Sequence, residues 1–181
     1  MKYFLEFIKQ TLRFVLKPLS FVPAIFMMCL IFSFSSQTGS QSGELSYKAG
    51  CEIIEIANED LELGLSNTQV THYSKVYQYY IRKAAHMTEY FLLAVAVAIP
   101  LYVYGVRGIS LVLIAGAFCI SYAGLDEFHQ SFVGGRTPLK KDVLIDSIGV
   151  MVGITTVRIL GFIGRTTIFR PLADNRKRRY G

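Results

Sequence analysis

The chain has 181 residues, of which 52% are hydrophobic and 18% are charged, with a formal net charge of +6. Its mean hydropathy is +0.39. The length suits one domain, and so few charges favour a membrane protein over the alternative, a soluble helical domain with a buried core. The basic pI near 9.3 comes mostly from clusters that flank the apolar part. No nucleic-acid-binding motif accompanies them, so a nucleic-acid partner is not expected.

Four apolar segments approach the roughly 20 residues that a transmembrane helix needs. They lie at about residues 19–36, 84–104, 108–125 and 143–164. The fourth is the weakest, because Asp146 and Arg158 interrupt it. The first follows a basic head, so a signal peptide is its alternative; it has no clean small-x-small cleavage site, which favours a retained helix. The predicted fold is therefore all-α, a polytopic membrane bundle of about four transmembrane helices.

The loop between the first two spans, residues 37–83, is predicted to contain helices of its own. Within "ELSYKAGCEIIEIANEDLEL", residues 44–63, apolar side chains recur at helical spacing at Leu45, Ala49, Ile53 and Ile56. "LGLSNTQ" then breaks the pattern. Asn67 or Thr68 is expected to cap a second helix, which begins near Gln69 and runs without interruption into the second span.

Lysine and arginine positions predict the orientation. The segments 1–18 and 165–181 are both basic and lie on one side of a four-span membrane domain, residues 19–164, so that side is predicted to be cytoplasmic. The basic C-terminal tail could also bind anionic lipid headgroups, with a simple topology anchor as the alternative. The loop 129–142 breaks the rule, because it puts Arg136 and two lysines outside. Those cations then have a local role, or the topology is inverted.

Ionisable residues begin or end three of the predicted spans. "RKAAHMTEYFLL" begins the second span, "SYAGLDEFHQSF" ends the third, and "KDVLIDSIGVMVG" begins the fourth. The spacings of three and four residues place them on shared helical faces, and all three helix ends fall on the outer side. The residues predicted to converge there at one depth are Arg82, His86, Glu89, Asp126, Glu127, Gln130, Arg136, Asp142 and Asp146. In the fourth span, Gly149 and Gly153 form a G-x-x-x-G that permits close helix approach.

Such a layer must satisfy its own charges, because a lone charge in hydrocarbon costs about 2.5–3.5 kcal/mol or more. It is either an ion-paired network that holds the helices in register or an outward-facing polar pocket that binds an envelope molecule. Two arginines, Arg82 and Arg136, face five carboxylates, and this excess of acids favours function. Some acids must be protonated, pair with Lys83, Lys140 or Lys141, or hold a cation.

The same residues resemble the VanZ-like family of membrane proteins. "FSSQ", "RKAAHMTEY", "DEFHQSFVGGR" and "KDVLIDSIG" occur in order over roughly residues 30–155. They fit the pattern R-K-x-x-H-x-x-E-Y, then D-E-x-x-Q and an arginine, then D-x-x-x-[ND]-x-x-G. Position 146 is Asp, where Asn is frequent in the family. The resemblance implies a multi-pass bacterial cell-membrane protein. The family's founding member is linked to teicoplanin resistance, but the family implies no settled biochemistry.

Three functions are consistent with these residues. The first is a pocket that binds or remodels a cell-envelope lipid or glycan precursor, with the arginines on a phosphate or carboxylate. The second is a hydrolase or transferase acting on a lipid-linked substrate, for which the candidate acids and bases are His86, Glu89, Asp126 and Glu127. The third is a small ion or proton-coupled transporter, which the lack of an inverted repeat disfavours.

A metal is a separate question. Three cysteines without a spacing pattern form neither a metal knuckle nor a disulfide framework. A divalent cation held by Asp126, Glu127 and Asp142 would have hard oxygen ligands and would be Mg²⁺ or Mn²⁺. Cofactor, substrate and oligomeric state do not follow from the sequence.

Overall fold

The computed structural model describes Phe7, residues 17–137 and residues 139–167, and these form helices and turns without a strand among them. The helices are α1 (Val22–Ser35), α2 (Gly39–Asp60), α3 (Asn67–Val103), α4 (Gly108–Gln130) and α5 (Lys140–Thr167). Four helical stretches are long and apolar enough to cross a membrane: Lys17–Ser35, α3, α4, and α5 as far as Thr166. The predicted all-α four-span fold is confirmed. The tails 1–18 and 165–181 lie largely outside the described residues, so the domain limits stay predictions.

The spans form a bundle with two distinct ends. At one end, which we call the cluster end, α1 and α4 finish and α5 begins, and α3 passes through it at Arg82. The Arg136 guanidinium donates to the Phe34 carbonyl there. At the opposite or far end, Ser20 Oγ lies 2.6 Å from the Tyr104 hydroxyl, joining the start of the first span to the end of α3. The chain direction therefore alternates as a four-span topology requires.

The α3–α5 contact depends on glycine. A Cβ placed on Gly149 would lie 2.2 Å from the backbone oxygen of Met87, and one on Gly153 would lie 2.6 Å from that of Phe91. Only hydrogen fits at these two positions, so the predicted G-x-x-x-G does bring two helix backbones together. This contact fixes the start of α5 against the segment of α3 that carries His86 and Glu89.

Helix α3 is too long to be only a span. Its 37 residues reach about 55 Å, against a hydrocarbon core of about 30 Å. Its first half projects from the cluster end and packs on α2, where the Gln78 amide donates to the Gly43 carbonyl at 2.8 Å. The predicted outer helical loop is therefore a helical hairpin built on the end of the second span.

The caps of the hairpin differ from the sequence-based expectation. Ser66, rather than Asn67 or Thr68, is the N-cap of α3, because Ser66 and Gln69 form a capping box. Thr38 and Gln41 form a second capping box, so α2 begins at Gly39, five residues before the predicted pattern at Glu44. The apolar spacing indicated the helix but gave no information on its polar first turn, and its side chains at Leu45, Ile53 and Ile56 are exposed.

The interior of the bundle is apolar below the cluster end. Its fully buried side chains include Tyr90, Leu93, Leu111, Val150 and Ile154. Large apolar side chains also cover the outside, among them Phe26 at 64% and Leu113 at 62% exposed. An exposed apolar belt of this kind is unfavourable in water and favourable in the hydrocarbon of a membrane.

Candidate functional site

Arg136 closes the top of α1. Gly135 has a φ of 73°, which turns the loop so that Arg136 points back toward the bundle. Its guanidinium donates from Nη2 to the Phe34 carbonyl and from Nε to the Gln37 carbonyl, each at 3.0 Å. Phe34 lies in the last turn of α1, where its carbonyl also accepts from the Gln37 N–H at 3.3 Å, and Gln37 follows the helix end. A cation is favourable at a helix C-terminus. Burial lowers the pKa of Arg136, with the Arg82 charge adding to the effect.

A buried chain of hydrogen bonds joins Arg136 to α4. Arg136 Nη1 donates to Gln130 Oε1 at 3.0 Å, and Gln130 Nε2 donates to Asp126 Oδ2 at 2.9 Å. Asp126 is 5% and Gln130 8% exposed. The other Asp126 oxygen, Oδ1, is buried without a hydrogen-bond partner among the described residues. The amide thus connects cation to carboxylate and fixes all three side chains.

Glu127 and Asp142 organise the start of α5. Glu127 Oε1 accepts from the Leu139 backbone N–H at 2.6 Å, immediately before the first residue of α5. Asp142 forms an ion pair with Lys83 of α3, in which the side chains are only 16% and 17% exposed. One of the cations that the sequence offered as a partner for the surplus acids is therefore used. These contacts tie α3, α4 and α5 together at one level.

His86 and Glu89 form the remaining polar pair. His86 Nδ1 lies 3.3 Å from Glu89 Oε2, and both side chains are mostly buried. The geometry is too poorly aligned for a hydrogen bond, since Glu89 Oε2 is also without such a bond in the described structure. Asp146, one turn into α5, is 6% exposed and lines the same cleft as His86.

Two neighbouring spaces lie beside these residues and share Arg82 and His86 in their walls. The first, which we call the cleft, has an accessible volume of about 10 Å³, on the order of one water molecule. It is lined by Arg82, Lys83, His86, Glu127, Gln130, Asp142 and Asp146. The second, the groove, has a volume of about 310 Å³ between the end of α1, α2 and α3. Its walls are mainly apolar and comprise Phe34, Gln37, Ser42, Leu45, Ser46, Ala49, Ile81, Arg82, Ala85, His86 and Glu89.

Arg82 stands at the junction, since it lines both the cleft and the groove. It is half-buried. In the described part of the chain, no carboxylate oxygen lies within the 4.0 Å limit of an ion pair with its guanidinium. A cation withdrawn from water without a counter-charge is costly. The site therefore presents one unpaired arginine to whatever enters the groove.

The structure brings all the predicted site residues to one level. Six of them line the cleft directly, Glu89 lies in the groove, and Asp126 and Arg136 join through Gln130. Their roles in binding or catalysis stay predictions. The sequence did not predict the groove wall formed by Leu45 and Ala49. Their helical spacing could be recognised from the sequence, but their position opposite α3 could not.

The three carboxylates considered as ligands for a divalent cation each have a different partner. Asp126 accepts from Gln130, Glu127 from Leu139, and Asp142 pairs with Lys83. Over Phe7, 17–137 and 139–167, no group of three or more His, Cys, Asp or Glu side chains is placed to hold a metal ion. Among the described residues, Asp126, Glu127 and Asp142 are thus not arranged around a common cation site.

Fold and site together define a multi-pass helical membrane protein whose spans carry a dense charged cluster at one end. The sequence model of the VanZ/LLP1 family matches residues 20–161, which include most of the first and fourth spans, all of the second and third, and the whole cluster. The chain belongs to the VanZ/LLP1 family. Searches of curated proteins and of solved structures each returned no match.

Proposed function

We propose that this protein binds a phosphate-bearing lipid or lipid-linked glycan precursor of the bacterial cell envelope. The observation that carries the proposal is Arg82, a half-buried cation without a carboxylate partner in the described structure. A phosphate oxygen pair matches the fork of a guanidinium and would give Arg82 the close anionic partner that no described carboxylate provides. His86, beside Arg82 in both spaces, adds a second donor.

The groove supports a lipid rather than a water-soluble phosphate. Its wall contains Leu45, Ala49 and Ile81, and its polar end contains Arg82 and His86. An amphipathic ligand would place hydrocarbon along the α2–α3 wall and its headgroup against Arg82. The volume of about 310 Å³ is at the low end for ligand sites, so it accommodates a headgroup and the first part of a chain.

Native mass spectrometry of the protein, gently extracted from bacterial membranes, tests the proposal. The wild type is expected to retain a phosphate-bearing lipid, and Arg82→Gln to lose at least about tenfold of it, since a charged hydrogen bond contributes about 1.5–3 kcal/mol. Lys75→Gln is the matched control, an exposed cation on the outer half of α3. Equal retention by a folded Arg82→Gln variant would overturn the proposal.

A second candidate is a hydrolase or transferase that acts on the same lipid. Glu127 and His86 line the cleft beside Arg82, which puts an acid–base pair next to the proposed headgroup. Glu127→Gln keeps an oxygen that can accept from Leu139 but cannot exchange a proton. Catalysis predicts near-complete loss of turnover with lipid binding intact, with exposed Glu44→Gln as control; full turnover in Glu127→Gln would exclude the role.

The cellular setting follows from the same proposal. With the N- and C-terminal segments cytoplasmic, the cluster end and the α2–α3 hairpin face outward, towards the cell envelope. Altered envelope material would then change susceptibility to a glycopeptide such as teicoplanin. Expression of the wild type should shift the inhibitory concentration of teicoplanin, and expression of Arg82→Gln should not. An identical shift with both proteins would show that the change in susceptibility does not depend on lipid binding at Arg82.

A further inference from the structure

The far end of the bundle has a second cleft, unrelated to the charged cluster. Its volume is about 510 Å³, and it is lined by Tyr102, Arg107, Gly108, Thr155, Arg158, Ile159, Phe162 and Arg165. Three arginines from two different segments, the α3–α4 turn and the last turns of α5, therefore face one space.

These arginines have no acidic neighbour in the part of the chain that the structure describes. Between residues 90 and 125, between 147 and 167, and between 17 and 43, the sequence contains no Asp or Glu. No ion pair involves Arg107, Arg158 or Arg165 there. Three cations held around one cleft repel one another, and only an anion from outside these segments can offset that repulsion.

One wall of the cleft is held in place by packing, while its three arginines are exposed. The Tyr102 ring packs against Gly161, where an added Cβ would lie 2.5 Å from Tyr102 Cζ, and the Arg107 guanidinium lies 5.4 Å from the centroid of the same ring. Helix α4 begins at Gly108, and its N-cap Arg107 makes no side-chain capping bond. Gly108 has open space where a Cβ would be, so a ligand can approach the free N–H groups of that helix start.

We infer that this cleft binds the phosphate of an anionic phospholipid headgroup. A membrane lipid is favoured over a soluble phosphate because Ile159 and Phe162, at 54% and 65% exposed, place apolar surface beside the arginines on a spanning helix. The phosphate would lie between the guanidinium groups and the α4 N-terminus, with its acyl chain along α5. Basic pockets between spans are a recurring form of lipid recognition.

The test compares lipid retention in nanodiscs that contain phosphatidylglycerol and phosphatidylcholine, read by native mass spectrometry of the full chain. Changing Arg107, Arg158 and Arg165 together to Gln is expected to reduce retained phosphatidylglycerol about a hundredfold, at about fivefold for each arginine. Lys75, Lys140 and Lys141 changed to Gln are the control, with the same loss of charge on exposed side chains of the cluster end.

Each other outcome contradicts the inference. Equal retention by the two triple variants would mean that net charge alone attracts the lipid. Full displacement of the lipid by millimolar inorganic phosphate would identify a soluble anion as the ligand. If the triple variant misfolds, Arg158→Gln alone must lower retention about fivefold, while Lys75→Gln, at an exposed position of α3, must leave it unchanged. The same fivefold loss in an Arg82→Gln background separates this site from the groove.

Discussion

Arg136 shows how a single side chain can organise the cluster end. Its three donors reach the Phe34 carbonyl oxygen in α1, the Gln37 carbonyl oxygen just beyond α1 and the Gln130 amide oxygen, each at 3.0 Å. A lysine would keep the charge but could not hold the planar three-way arrangement. The residue is thus a clamp between the end of α1 and α4, and its predicted role in binding stays a prediction.

Arg136→Lys is therefore expected to lower the free energy of unfolding, although the positive charge is retained. The loss should be about 1–3 kcal/mol, the cost of leaving buried hydrogen-bonding groups unpaired. Thermal melting in mild detergent measures it, with Lys75→Arg as a control because that side chain is exposed and lies outside both proposed sites. A melting temperature equal to that of the wild type would contradict the clamp.

At the scale of elements, the α3–α5 pair determines whether the acids of α5 can face His86. The backbone approach at Gly149 and Gly153 lets two helices pack closely without hydrophobic driving force from water. Asp142 and Asp146 then lie over the α3 residues Lys83 and His86. A wider helix separation would open the cleft and break the Lys83–Asp142 pair.

The same substitution at two glycines tests this contact. Gly153→Ala puts a Cβ 2.6 Å from the Phe91 oxygen, so the helices must move apart, at a cost of about 1–3 kcal/mol. Gly124→Ala in α4 meets nothing within 4 Å and should be neutral or up to about 1 kcal/mol stabilising through helix propensity. Unfolding in a detergent titration gives both values; Gly153→Ala as stable as Gly124→Ala would refute the close contact.

Sequence periodicity predicted the convergence of charges, because helical spacing and alternating span direction bring Arg82, Asp126 and Asp142 to one side by themselves. It could not predict their partners. Lys83 rather than Lys140 or Lys141 pairs with Asp142, a choice that depends on the rotation of α3 against α5. Likewise the stripe at Leu45 and Ala49 indicated a helix, but only its tertiary position against Ile81 makes it a groove wall.

At the scale of the whole molecule, the two ends of the bundle differ in charge chemistry. The cluster end mixes acids and bases that largely satisfy one another, whereas the described far end carries only cations. This asymmetry agrees with the predicted orientation, with the far end cytoplasmic. The three native cysteines, Cys29, Cys51 and Cys119, can be replaced to test it.

In that cysteine-free background, Glu62→Cys and Lys17→Cys report the two ends. Both positions are exposed. An impermeant thiol reagent applied to intact cells should label Glu62→Cys and leave Lys17→Cys unlabelled until the cells are broken. The reverse pattern would invert the topology and place the groove on the cytoplasmic side.

The central proposal is that the groove holds a lipid whose phosphate pairs with Arg82, and site-specific photo-crosslinking tests it most directly. A benzophenone side chain at Leu45, in the groove wall, is compared in native membranes with one at Ile56, which lies on the same helix outside the groove. We predict a phosphate-bearing lipid adduct at Leu45 alone, lost when Arg82 is changed to Gln. Adducts of equal yield at both positions, or an adduct at Leu45 that survives Arg82→Gln, would contradict the account.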